Sequence, residues 1–130
     1  MDPKLRQKLL DLGVGLIYRF GSTLEGSATP SSDVDVGIVF SKPASLKHGT
    51  TIRLEIDALL SPLFGSRREM DVALLQEAGP AFQYEVIRRG QILYEISPEF
   101  RADYEEQIMN EYLDLEPLLQ VFREGLLTRS

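Results

Sequence analysis

The chain has 130 residues, 43% hydrophobic and 26% charged, with a formal net charge of −6, one histidine and no cysteine. That balance suits one globular domain and leaves little room for a separate substrate-binding domain. It excludes a disulfide framework or thiolate metal site and argues against direct nucleic-acid binding, which needs a basic face to neutralise phosphates.

In chain order, Lys4 to Leu12 reads as a short helix, with Leu5, Leu9 and Leu12 at i, i+4 and i+7. Gly13 and Gly15 close it. Leu16 to Phe20 is the first predicted strand, Ser22 to Ser27 a short helix ending near Gly26, and Ala28 to Ser32 a loop of turn-forming residues. Val34 to Phe40 is the second strand, broken by Lys42-Pro43. A helix is expected from Ser45 to Leu60, carried by Ile52, Ile56, Leu59, Leu60 and Leu63 and closed by Pro62 and Gly65. Glu69 to Leu75 is the third strand. Pro80 to Arg89 is a helix with proline in its first turn and Gly90 as its stop. Gln91 to Ile96 is a short fourth strand at the sheet edge. Pro98 to Leu113 is a helix with Phe100, Tyr104, Ile108 and Tyr112 at steps of four. Pro117 starts or kinks a last helix bearing Leu118, Leu119, Phe122 and Leu126. The order predicts an α/β (α+β) architecture: a mixed sheet of about four strands covered by helices, one domain over 1–130. Its C-terminal helices, 98–128, pack on the domain or on a partner. No run of 18 apolar residues exists, so no membrane span is expected. The N-terminal stretch lacks a signal-peptide layout, which fits a cytoplasmic location.

The chemistry concentrates between Arg19 and Ile38. Asp33 and Asp35 lie one residue apart at the start of the second strand, so alternation puts both on one face while Val34, Val36 and Ile38 point into a core. Two carboxylates ~4 Å apart repel by about 4 kcal/mol at an effective dielectric of about 20. A hard divalent cation with oxygen ligands, such as Mg²⁺, answers that repulsion. Gly21-Ser22 supplies a phosphate-binding turn: glycine admits close backbone approach, and serine adds a hydroxyl and an amide. Thr23 is a further donor. The segment is neither a P-loop nor a dinucleotide fingerprint. Asp71 alternates with Val72 and Leu74 in the third strand and faces away from both of those side chains.

Gly21-Ser22, ten residues, then Asp33-Val34-Asp35 resembles the signature of the DNA polymerase β-like nucleotidyltransferase superfamily. At this length the chain is similar to the minimal nucleotidyltransferases, and among them to the antitoxin adenylyltransferases paired with HEPN-domain toxins. The resemblance covers roughly residues 5–115. It implies a nucleotidyltransferase fold in which Asp33, Asp35 and Asp71 hold one or two Mg²⁺ ions, with Asp71 beside the attacking hydroxyl. It implies that Gly21 and Ser22 contact the β and γ phosphates of ATP, and that AMP passes to a hydroxyl, a tyrosine of the partner toxin.

One departure bears on this. Many relatives carry a basic residue in the short helix after Gly-Ser, where this sequence has Leu24-Glu25-Gly26. Positive charge on the triphosphate must come from elsewhere, with Arg19, Lys42, Lys47 and Arg53 as candidates. Arg67-Arg68 and Arg88-Arg89 read as charge at element ends, and Asp57, Glu69 and His48 as solvated surface residues. Phe100, Tyr104, Ile108 and Tyr112 form a stripe that packs on the sheet or, with Leu118, Phe122 and Leu126, meets a partner. The acids Asp103, Glu105, Glu106, Glu111, Asp114 and Glu116 suit a basic partner. Two alternatives stay open: a binding-only antitoxin that neutralises its partner by contact, and a small-molecule adenylyltransferase of the aminoglycoside type.

Overall fold

The computed structural model describes residues 1–21, 34–65 and 69–128, with side chains described through Gly125. The helix expected over 22–27, the loop over 28–32 and the Arg67-Arg68 pair lie outside the described residues. The elements are α1 (Pro3–Asp11), β1 (Val14–Phe20), β2 (Val34–Phe40), a 3-10 turn (Pro43–His48), α2 (Gly49–Phe64), β3 (Met70–Leu74), a second 3-10 turn (Leu75–Glu77), α3 (Pro80–Arg89), β4 (Gln91–Glu95) and α4 (Pro98–Thr128).

The four strands form one mixed sheet in the order β3-β2-β1-β4. β1 pairs antiparallel with β2 and β4, and β2 pairs parallel with β3. A parallel pair needs a long crossover, and α2 supplies it. The central strands β1 and β2 are apolar on both faces because helices cover both. On one face, Val34, Val36, Ile38 and Phe40 of β2 and Ile17 of β1 pack with Leu9 of α1 and with Ile52, Ile56 and Leu60 of α2. On the other face, Leu16 and Tyr18 of β1 and Val39 of β2 pack with Val86 of α3 and with Tyr104 and Ile108 of α4.

Polar side chains fix the second layer. Tyr18 donates its hydroxyl to Glu105 Oε1 at 2.8 Å, and Tyr104 donates to Gln83 Oε1 at 2.7 Å. The buried Gln83 in turn donates Nε2 to the Ala78 carbonyl at 2.8 Å. Past the end of β3, the Gln76 amide extends the sheet: it accepts from Phe40 N at 2.8 Å and donates to Phe40 O at 3.1 Å.

Two helix boundaries differ from the sequence reading. The segment expected as one helix from Ser45 to Leu60 is a 3-10 turn followed by α2, which runs through Pro62 to Phe64. Pro62 sits in the last turn, where one lost hydrogen bond is tolerated, and Gly65 at φ +90° makes the stop. The two expected C-terminal helices are one, α4, of 31 residues with Pro117 inside it, about 46 Å long at 1.5 Å per residue. The carbonyl freed by Pro117 belongs to Leu113, which is exposed, so the interruption costs little. Tyr104 and Ile108 are buried and Tyr112 half-buried, its ring stacked on Tyr84 at 4.0 Å. Beyond Tyr112 the same stripe continues through Leu115, Leu118, Leu119 and Phe122, with Leu118 66% and Phe122 64% exposed.

Candidate active site

Along β2, even-numbered residues from Val34 to Phe40 face α1 and α2, so Asp35 faces the side of α3 and α4. Its register partner in β1 is Phe20 and in β3 is Asp71. Residues directly opposite in a strand pair project from the same face, so the Asp35 and Asp71 carboxylates stand side by side on neighbouring strands. Val72 and Leu74 belong to the opposite core, as their alternation with Asp71 requires. Strand spacing sets the two backbones about 5 Å apart, and two carboxylates held at that separation would repel by about 3 kcal/mol at an effective dielectric of about 20.

The third wall is Gly21, immediately after β1. It holds φ at +90°, and a Cβ built on it would collide with the Asp35 carboxylate. Glycine is therefore required twice over: for the left-handed backbone and for the space the carboxylate occupies. Asp35 is half-buried and Asp71 exposed on an edge strand, so the pair opens to solvent. Among the described residues, α3 and α4 cover the middle of this face, and Asp35 lies half-buried beyond them.

Gly21, Asp35 and Asp71 thus come together. Ser22, Thr23 and Asp33 lie outside the described residues. Among the described residues no group of three histidines, cysteines, aspartates or glutamates is gathered as a metal site. The two described carboxylates offer hard oxygen donors from adjacent strands at one point, a donor set that fits Mg²⁺. Of the other acids, Glu69 is exposed, and Asp57 is half-buried on α2, where it accepts from Ser61 Oγ at 2.7 Å. His48 is exposed where α2 begins.

The expected cations are placed elsewhere. Arg19 pairs in register with Val36 and lies over the Phe64 ring at 5.1 Å, so it points to the α1–α2 face, away from Asp35. Lys42 and Lys47 follow the far end of β2, and Arg53 lies on α2 beyond the sheet. The cation brought close belongs to a pair that reads in the sequence as helix-end charge. Arg89, at the end of α3, lines a small cleft with Phe20, Gly21, Phe82, Glu85 and Val86. Cavity size alone misleads here: a larger cleft, of about 410 Å³, lies between α1 and α2 on the opposite side of the sheet.

Comparison with known proteins identifies the family and the fold. The family model for polymerase beta nucleotidyltransferases matches residues 4–99. Solved structures of similar fold include a toxin–antitoxin with AMP-PNP, at 20% identity over 94% of this chain and 98% of that chain, with a TM-score of 0.67. The toxin–antitoxin MntA–HepT superposes at 18% identity over 97% of this chain and 99% of that chain, with a TM-score of 0.64. A chain from the complex of tri-AMPylated Shewanella oneidensis HEPN toxin with MNT antitoxin matches at 18% identity over 98% and 99%, with a TM-score of 0.62. At these identities the likeness is one of fold. No curated protein matches the sequence significantly.

Proposed function

The chain belongs to the polymerase beta nucleotidyltransferase family, and from that premise we propose that it is a Mg²⁺-dependent protein adenylyltransferase, moving AMP from ATP onto a hydroxyl of a HEPN-domain toxin and so acting as its antitoxin. The observation that carries the reading is the Asp35–Asp71 register pair beside Gly21. Asp33 is proposed as the third carboxylate, and Ser22 and Thr23 as donors to the phosphates. Asp35 and Asp71 would hold Mg²⁺, whose charge, when bound, offsets that of the triphosphate. Gly21 lets the backbone approach the phosphates. Asp71, exposed at the sheet edge, accepts the proton of the acceptor hydroxyl, a tyrosine by resemblance. The acceptor oxygen bonds to the α-phosphorus in line, the bond to the β-phosphate bridging oxygen breaks, and pyrophosphate leaves with that electron pair. ATP as the proposed substrate supports a cytoplasmic location.

The partner is supported by the company of the structural neighbours, which are toxin–antitoxin assemblies, and by α4. Residues 98–128 hold eight acids and two arginines, a net −6 equal to that of the whole chain. Beside that charge runs the stripe of half-buried Leu115 and Leu119 and exposed Leu118 and Phe122. A second copy would set two acidic helices against each other, so the stripe fits a partner that is basic as well as apolar. Contact through α4 also favours a second reading, a binding-only antitoxin.

The test incubates the protein with α-labelled ATP, Mg²⁺ and its cognate toxin. Label on the toxin, lost in Asp35→Ala, is the expected result. Neutralisation without label, unaffected by Asp35→Ala, would establish the binding-only reading. Leu118→Asp with Phe122→Asp should leave the fold's melting unchanged and abolish capture of the toxin.

A further inference from the structure

The cleft beside the carboxylate pair has a cation and no assigned role. Its volume is about 190 Å³, and Phe20, Gly21, Phe82, Glu85, Val86 and Arg89 line it. That is below the ~300–1,000 Å³ of a pocket enclosing a whole drug-sized ligand, so it takes a small group rather than a nucleotide. Two features fix it beside the chemistry. Phe20, its inner wall, is the register partner of Asp35, and Gly21, its floor, touches the Asp35 carboxylate. Its outer wall is Phe82, 44% exposed and edge-on to Phe20 at 5.7 Å.

Arg89 is placed there by the packing of α3 on β1. Gly90 ends α3 by donating its N–H to the Val86 carbonyl at 2.7 Å, and a Cβ on Gly90 would stand 3.2 Å from the Arg19 carbonyl. The helix end is thereby seated against the last residues of β1. Glu85 holds both arginines of this end: Arg89 Nε at 3.2 Å and Arg88 Nη2 at 3.2 Å. Only Arg89 of the two lines the cleft. A planar guanidinium beside a glycine turn is suited to a phosphate oxygen pair.

We propose that Arg89 binds the β/γ-phosphate end of the nucleotide in this cleft, supplying the charge that Leu24-Glu25-Gly26 does not, and that Glu85 holds the guanidinium in place and competes with the phosphate for it. The inference rests on the nucleotidyltransferase reading above. It makes Arg89 a phosphate-binding residue and Glu85 its counterweight, so the two substitutions act in opposite directions on one equilibrium.

The test is equilibrium binding of ATP, AMP and adenosine to the full chain, by calorimetry in Mg²⁺ buffer, with thermal melting alongside. Arg89→Ala should weaken ATP about tenfold or more, the scale of a hydrogen-bonded charge pair, while AMP and adenosine change by less than about twofold. Arg89→Lys should fall between, because it keeps the charge and loses the fork. Glu85→Gln should tighten ATP by about two- to fivefold, as expected for release of an exposed ion pair. Arg88→Ala, at the same helix end but outside the cleft, should stay within about twofold. Arg89→Ala with unchanged ATP affinity, or with a raised KM for the acceptor instead, would overturn the assignment and leave the nucleotidyltransferase reading standing. A wild-type chain that binds no ATP would overturn both.

Discussion

The two faces of the sheet are built from the same strands and end differently. The face toward α1 and α2 is apolar along the length of β2, from Val34 through Val36 and Ile38 to Phe40, all at 2% exposure or less. The face toward α3 and α4 is closed by Val39, Tyr18, Leu75 and Tyr104 over its middle, then opens at Asp35, Asp71 and Gly21. One strand serves both because alternate residues answer to different neighbours. The carboxylates can sit together against their repulsion because the opposite face anchors the strands that carry them.

The contrast breaks most sharply under paired substitution. Asp71→Asn should lower AMP transfer about a thousandfold, the scale of losing a principal electrostatic group, with melting unchanged or raised because a like-charge contact is relieved. Ile56→Ala, on the closed face, should cost about 2–5 kcal/mol of stability and leave transfer per folded molecule unaltered. A loss of fold in the first variant, or of chemistry alone in the second, would erase the distinction between the faces. Urea unfolding and a labelled-transfer assay on the same preparations read both.

A smaller effect sharpens the boundary within the open face. Burial, helped by the hydrogen bond to Glu105, pushes the Tyr18 phenol well above its ordinary value near 10, and burial with the nearby charges of Glu105 and Glu111 does the same for Tyr104. Both phenols therefore keep their protons in the fold after the unfolded chain has lost them. Stability should hold below pH 10 and fall above it, by about 1.4 kcal/mol per pH unit for each phenol. Tyr18→Phe should remove one phenol's share of that alkaline slope. An unchanged slope would mean that Tyr18 ionises freely and that the apolar cover over the middle of this face is not closed.

Much of this was legible in the residues. Alternation in β2 was enough to place Asp35 opposite Val34, Val36 and Ile38, and alternation in β3 to turn Asp71 away from Val72 and Leu74. Gly21 was readable as a close-approach position, though not that the approaching group is the Asp35 carboxylate. The single helix α4 was not legible, because proline breaks a helix by propensity and only its exposed setting shows how little the break costs. Nor was the face of Arg19, which depends on its antiparallel register with Val36. Arg89 was hidden most completely: a helix-end arginine becomes part of the site only when Gly90 lets α3 close on β1, where Gly90 meets Arg19, far away in sequence.

The central claim is that Asp35 and Asp71 form one cation-binding centre beside Gly21. Titrating the protein with Mn²⁺ as a paramagnetic stand-in for Mg²⁺, and following amide resonances by NMR, tests it directly. Selective broadening at Gly21, Asp35 and Asp71, absent in the Asp35→Asn/Asp71→Asn double variant, is the predicted result. Broadening scattered along the acids of α4, equal in both proteins, would contradict it.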